Sequence, residues 1–181
     1  MPFSFAPIED FERECQMHFV CYSMCRNGIA DERESLAAIP NQRTTTHFHH
    51  HEAEVTKITA GFRVFELQAM AAEDGQFSDL LAKSLIVSIY ARWDEFHRPR
   101  IAAEHLVTRK AVRSDLMGDI RLIRNCIVHA NSTITDEVRS LKKLPWSILP
   151  GTLTITNKMM NTLFNHLNRE HIFVDHCPGK Q

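Results

Sequence analysis

The chain lacks a long apolar run and an internal repeat. Its longest apolar stretch, around Leu85–Ala91, is far shorter than the ~20 residues that cross a bilayer. The N-terminus has neither the basic segment nor the apolar segment of a signal peptide, so none is expected. These absences predict a protein with no membrane segment.

The chain also lacks the cysteine pattern of a disulfide-rich or zinc-binding protein. Five cysteines are present, which is an odd number, and no two of them form a C-x-x-C pair. Cys21 and Cys25 lie four residues apart on a predicted helix, where we expect thiols to pack as small apolar side chains. Reduced cysteines and a cytoplasmic location are therefore expected.

Net charge is nearly absent, because 21 basic and 22 acidic residues give a formal charge of −1. Proteins that coat nucleic acid regardless of sequence are normally basic, so this class is disfavoured, whereas a local basic cleft is compatible with the composition. A hydrophobic content of 44% and a charged content of 24% are ordinary for a globular protein. The length of 181 residues fits one domain with a substantial core.

The spacing of apolar residues predicts an all-α protein, most simply an up-down helical bundle. Gly28 is expected to end the first helix, Ser78 to cap the third and Pro145 to close the fifth. Only Thr152–Thr156 indicates extended structure. The third helix is apolar on more than one face, which predicts a central position in the core or in a subunit interface. The predicted helices are 8–27, 51–72, 78–97, 114–129, 136–144 and 157–169.

The helix predicted for 114–129 carries the most informative pattern in the chain. Most of its circumference is apolar, and Arg121, Asn125 and His129, spaced i, i+4, i+8, form one polar stripe. Arg124 falls outside this stripe, among apolar positions, where a guanidinium needs an anion or several acceptors. The simplest interpretation is structural: a buried salt bridge, a packing hydrogen bond and an imidazole near a helix C-terminus.

The same residues carry a resemblance. The segment Arg124-Asn125-Cys126-Ile127-Val128-His129 resembles the R-N-x-x-x-H form of the signature of the HEPN superfamily, whose members are small, all-helical and mostly directed at nucleic acids. An Asp-Ile-Arg sequence precedes the motif and a short polar segment follows it, as in that family.

A second segment strengthens the resemblance. Trp93, Asp94 and Arg98 are similar to the tryptophan, acid and arginine of a helix found in some stand-alone HEPN proteins. The similar region is about 75–170, so the prediction is one HEPN-like domain over 1–181, with N-terminal helices in 1–73. The sequence alone does not decide whether 1–73 belongs to the bundle.

The resemblance implies a metal-independent endoribonuclease without a cofactor, acting on RNA as a cytoplasmic homodimer. Arg124 would stabilise the phosphorane, His129 would transfer protons, and Asn125 would orient the histidine or bind phosphate. The motif helices of two subunits would line one cleft. A toxin or anti-phage role, with an antitoxin or regulatory partner, is also implied. Ala130 stands where HEPN toxins commonly carry a modified tyrosine, so that mode of control is not expected.

Two other functions fit the same residues. One is a non-catalytic HEPN module that binds RNA or a nucleotide through Arg124 and His129. The other is a structural dimerisation domain in which Arg124 is an internal ion-pair partner.

Several residues near the motif have both a structural and a functional interpretation. Asp94 and Arg98, four residues apart, form an exposed ion pair in the structural interpretation. In the functional interpretation they support Arg124 together with Glu95 and Arg121, and Asp94 or Glu95 orients the guanidinium of Arg124. Trp93 is expected in the core rather than as a platform for bases. A further set of basic residues is either solvated or a rim for phosphates: Arg109, Lys110, Arg113, Lys142 and Lys143.

The histidine cluster His47-Phe48-His49-His50-His51 is the remaining candidate. Imidazoles bind zinc, nickel and copper, but no cysteine and no H-E-x-x-H pattern accompanies them. Incidental histidines are therefore favoured over a metal site, and no metal ligand is predicted.

Overall fold

The computed structural model describes residues 6–40, 44–52, 55–167 and 172–175. The structure is mostly helical, which confirms the helical class, and it adds two small antiparallel sheets, β1-β2 and β3-β4. A π-helical turn, Trp93–His97, joins α3 directly to α4. The elements are α1 Ala6–Ala37, β1 Thr45–Glu52, β2 Val55–Arg63, α2 Val64–Met70, α3 Gln76–Arg92, α4 Arg98–Glu104, β3 Val112–Arg113, α5 Asp115–His129, α6 Asn157–His166 and β4 Phe173–Val174.

The core lies where α1, α3 and α5 meet. The apolar stripes of α3 and α5 face each other, and α1 adds aromatic side chains to the same cluster, so the N-terminal helix belongs to the main core. Within the described ranges, no helix combines the length and the apolar content that a bilayer crossing requires. The fully or almost fully buried members include Tyr22, Ile86, Ile89, Ile101, Leu116, Ile120, Ile123, Ile155, Met160 and Leu163.

Gly28 does not end the first helix, which continues to Ala37. A glycine inside a helix costs only about 1 kcal/mol relative to alanine, so tertiary contacts can outweigh it. Those contacts lie in the last turns of α1, where Leu36 packs with Val64 and Leu67 in a second small core. Gln68 Nε2 also donates to the carbonyl oxygen of Leu36 at 3.0 Å.

The helix predicted for 51–72 is wrong over most of its length. Residues 45–63 form the β1-β2 hairpin, and only Val64–Met70 is helical. The apolar spacing in 55–62 fits a helix, but valine, isoleucine and threonine there favour strands. Gly61 permits close strand contact, because a Cβ there would lie 2.9 Å from Nδ1 of His47.

The third helix differs at both ends from its prediction. It begins at Gln76 after Gly75, and Ser78 is buried inside its first turn instead of capping it. Helical backbone then continues through the π-helical turn into α4, where Pro99 occupies the first turn. Proline, which has no amide hydrogen to donate, is tolerated there because it directly follows the π-helical turn, where the regular i→i−4 hydrogen-bond pattern is interrupted.

The motif helix is confirmed, whereas the helix predicted for 136–144 is wrong. Ser114 caps α5 by accepting a hydrogen bond from the amide of Met117 at 3.2 Å. Residues 136–139 form a turn in which Arg139 N donates to Asp136 O, and residues 140–144 are irregular. The buried carboxylate of Asp119 on α5 accepts hydrogen bonds of 2.7–2.9 Å from the backbone amides of three successive residues: Lys142, Lys143 and Leu144.

The C-terminal elements agree in part with the sequence. The last helix is confirmed over Asn157–His166, with Thr156 as its cap, while residues 168–169 lie outside the described ranges. Extended structure near Thr152 is seen as a single β-bridge to Thr133. The β3-β4 pair was not predicted, because strands of two residues carry almost no sequence signal.

A partly buried charged contact joins α1 to the end of α3. Glu14 accepts hydrogen bonds from Arg92 Nε at 2.6 Å and lies 2.7 Å from His97 Nε2. His97 is only 1% exposed. The hydrogen bond from Arg92 lowers the pKa of Glu14 to about 2; burial opposes this shift and His97 adds to it.

The depressed pKa of Glu14 predicts acid-sensitive stability. Because the folded-state pKa is below the unfolded value, the contribution is present above pH ~4.5 and is lost as the pH falls toward ~2. We expect Glu14→Gln to lower the free energy of unfolding by about 1 kcal/mol at pH 7, less than the pKa shift alone implies because solvent screens the contact with the exposed Arg92, and by progressively less below pH ~4.5. Urea unfolding at several pH values measures this, and a pH-independent difference would contradict it.

Candidate functional site

The site is built on the outer face of α5. Its inner face is fixed by a run of buried side chains, so the polar positions near its C-terminus are turned away from the core. Asn125 and His129 are exposed, and Arg124 is partly exposed. The buried positions of α5 are Leu116, Met117, Asp119, Ile120, Ile123 and Cys126.

Arg124, Asn125 and His129 converge at one point. Nη1 of Arg124 lies 2.9 Å from Nε2 of His129 and 3.1 Å from Oδ1 of Asn125. A guanidinium nitrogen only donates hydrogen bonds, so Nε2 of His129 accepts and carries no proton in this contact. The chain thus presents a cation and a proton-accepting imidazole side by side at the surface.

The position of Arg124 on the helix, among apolar residues and outside the polar stripe, does not predict this arrangement. Its long, flexible stem reaches the polar stripe, so the guanidinium finds two acceptors there. Among the residues that the structure describes, Arg124 has no carboxylate partner. An internal ion pair of Arg124, which the structural interpretation requires, is therefore not seen.

Asp94 engages two other arginines. It accepts from Arg98 Nη1 at 3.2 Å and from Arg109 Nη2. Burial alone would raise the pKa of Asp94, but hydrogen bonds from Arg109 and Arg98 lower it below its ordinary value. The ion pair with Arg98 is confirmed. Neither Asp94 nor the exposed Glu95 is recorded in contact with Arg124, so the orienting role of an acid is not seen.

Trp93 is a core residue, as predicted. It is 2% exposed, and its ring lies 5.2 Å from that of Phe11 in a tilted contact. Its side chain is therefore closed to bases and helps to attach α1 to the π-helical turn.

The histidine cluster lies on β1, and the side chains of residues 48–51 are outside the described part of the structure. In the described part, no three His, Cys, Asp or Glu side chains gather as a metal ion would require. Of the cysteines, Cys15 and Cys126 are buried and reduced, whereas Cys21 and Cys25 are reduced but exposed rather than packed.

The predicted basic rim is divided among separate contacts. Arg109 pairs with Asp94, and Arg113 Nε lies 3.1 Å from Asp175. Lys142 and Lys143 use their main-chain amides to bond Asp119.

Arg121 does not join the Arg124 cluster through any recorded hydrogen bond. It lines a cavity of about 260 Å³ at the start of α5, together with Tyr90, Arg98 and Arg113. Sequence reasoning missed this cavity, because its walls come from α3, α4 and β3 as well as α5. The only advance signal was the polar stripe that contains Arg121.

Comparison with known proteins identifies no relative of this chain. No family model, no curated protein and no solved structure matches this chain. The chemistry of the site therefore has to be judged from its own residues.

Proposed function

We propose that this chain is a metal-independent endoribonuclease of the HEPN type, folded as that family's helical bundle. The observation that carries the proposal is the convergence of Arg124, Asn125 and His129 on an exposed helix face, with Nη1 of Arg124 within 2.9 Å of Nε2 of His129. These are the residue types that phosphoryl transfer from a 2′-hydroxyl uses when no metal takes part.

The chemistry follows from the three side chains. His129 accepts the proton of the 2′-hydroxyl at Nε2 once the phosphate has drawn Arg124 toward its oxygens. The guanidinium then stabilises the negative charge of the phosphorane with two parallel hydrogen bonds. Asn125 holds the Arg124 side chain near the histidine through Oδ1 and has an amide group left for phosphate.

A single site has one imidazole, but cleavage needs both a base and an acid for the 5′-oxygen. We propose that a second copy supplies the other histidine across a homodimer cleft. Val128, next to His129, is 47% exposed, which leaves an apolar side chain beside the motif for such an interface. A second copy that covers Val128 would bring two motif helices together.

The non-catalytic binding module remains the alternative, since an arginine and a histidine also bind phosphate without cleaving it. A structural dimerisation domain is less favoured, because the recorded contacts of Arg124 are to Asn125 and His129 at the surface and not to a buried acid. By analogy with the same family, we place the enzyme in the cytoplasm, in toxin or anti-phage defence with a regulatory partner.

Incubation of the purified protein with total RNA in the presence of a chelator tests the proposal. We expect fragments with 2′,3′-cyclic phosphate ends to form at the same rate with and without chelator, because the proposed base, acid and cation are all protein side chains. Intact RNA that the protein nevertheless binds would favour the binding module. Strict dependence on magnesium would contradict the mechanism.

A further inference from the structure

The cavity at the start of α5 is lined by three arginines and one acid. Arg98, Arg113 and Arg121 face it together with Asp115, so the lining is positive overall. Its volume of about 260 Å³ is several times the ~30 Å³ that one water occupies in the liquid. A phosphate with an attached sugar or base is the size of group that such a space admits.

The guanidinium groups keep donors for a ligand. Arg98 is fixed by its Nε donating to the carbonyl of Val112 at 3.0 Å and its Nη1 to Asp94, and within the described ranges Nη2 has no partner. Arg113 contacts Asp175 through Nε. Among the described residues, Arg121 has no recorded hydrogen bond or ion pair. Arginine donors arranged in this way suit the oxygens of a phosphate.

Tyr90 adds an aromatic side chain to the cavity. Its ring is partly buried in the lining, and burial raises its pKa, with Asp94 adding to the rise and Arg121, Arg98 and Arg124 opposing it. The phenol therefore stays neutral near pH 7, as a donor for phosphate or a flat face for a base.

The position of the cavity indicates which phosphate it receives. Arg121 precedes Asn125 by four residues on the same helix, which is a rise of about 6 Å. An RNA strand whose scissile phosphate contacts Arg124 would therefore place an adjacent nucleotide beside Arg121.

We propose that this cavity binds one nucleotide of a single-stranded RNA, through its phosphate, beside the nucleotide that is cleaved. The assignment to the RNA strand rests on the proposed ribonuclease function. A free mononucleotide offers the same phosphate chemistry, so the two sources must be separated by experiment.

Gly118 allows the cavity to be filled without disturbing the core. It lines the cavity, and a Cβ built on it meets no atom within 4 Å. Gly118→Leu should therefore project into the open space, and leucine favours a helix more than glycine does. Gly28→Leu in α1 is the matched control, because a Cβ there also meets nothing within 4 Å.

The probes are a 2′-O-methyl RNA hexamer, which cannot be cleaved because it has no free 2′-hydroxyl, and adenosine monophosphate. We expect Gly118→Leu to weaken hexamer binding by about tenfold or more, while Gly28→Leu leaves it within about twofold of wild type. Arg121→Gln should also weaken it and reduce the salt dependence by about one phosphate contact. Circular dichroism checks that each variant is folded.

The outcomes separate this inference from the function on which it rests. Unchanged affinity for both the hexamer and adenosine monophosphate in a folded Gly118→Leu protein overturns the site. Loss of mononucleotide binding alone, with hexamer binding intact, overturns the assignment to the RNA strand. If the hexamer binds through the cavity while ordinary RNA is never cleaved, the binding site stands and the ribonuclease proposal fails.

Discussion

Replacing His129 with alanine is expected to reduce RNA cleavage by about 10²–10⁴-fold, the usual effect of removing a proton-transfer group. Arg124→Ala should cause a loss of similar size, because the charge that develops on the phosphorane would then have no guanidinium beside it. Both side chains are at the surface and contact each other rather than the core, so helical content should persist.

Initial rates on a labelled RNA, together with circular dichroism, measure this prediction. Arg139→Ala is the matched control, since it removes an arginine that pairs only locally with Asp136 at 3.3 Å. A folded Arg124→Ala or His129→Ala protein that cleaves at nearly the wild-type rate would remove the motif from the mechanism. Loss of folding in these variants, with Arg139→Ala unaffected, would favour the structural interpretation.

A mixed dimer of wild-type and His129→Ala subunits should be almost as inactive as the dimer with two mutant subunits. One imidazole would remain in the cleft, and either the proton acceptor or the proton donor would be missing. An excess of mutant subunits should therefore suppress wild-type activity after subunit exchange. The wild-type pH–rate profile should be bell-shaped, with both limbs near neutrality, since one histidine must be neutral while the other is protonated.

Two affinity tags, one on each type of subunit, allow the mixed dimer to be purified and its rate measured directly. The control is a mixed dimer of wild-type and Arg139→Ala subunits, which should keep full activity. If the mixed His129→Ala dimer instead retains about half of the wild-type rate, each subunit works alone and the shared cleft is wrong. A monomer that is fully active would lead to the same conclusion.

The motif helix was predictable because all of its signals are local. Ser114 supplies the cap, and the apolar period continues to the last turn, so both ends agree with the structure. The shared face of Asn125 and His129 likewise follows from their separation of four residues on one helix, whereas Arg124 reaches them only through its long side chain. Local spacing thus placed Asn125 and His129 on one face without knowledge of the fold, but it did not place the guanidinium of Arg124.

Prediction failed where distant contacts determine the backbone. The segment 136–144 has helical spacing, but Asp119 takes three of its amides, and a helix would need those amides for its own carbonyl groups. The hairpin at 45–63 has an apolar spacing that also fits a helix, so only its strand propensity and its distant pairing distinguish it from one. The cavity could not be predicted either, since Tyr90, Arg98 and Arg121 become neighbours only when α3, α4 and α5 pack.

The contact of Asp119 with 142–144 provides the protein with a natural reporter of site integrity. The amides of Lys142, Lys143 and Leu144 bond to a carboxylate on the motif helix, so deuterium can replace their hydrogens only when that segment separates from α5. Their exchange rates therefore measure how often the segment 142–144 separates from α5. A ligand that contacts both α5 and the neighbouring elements would slow this separation. Slower hydrogen exchange at these three amides would then report ligand binding without any label or substitution.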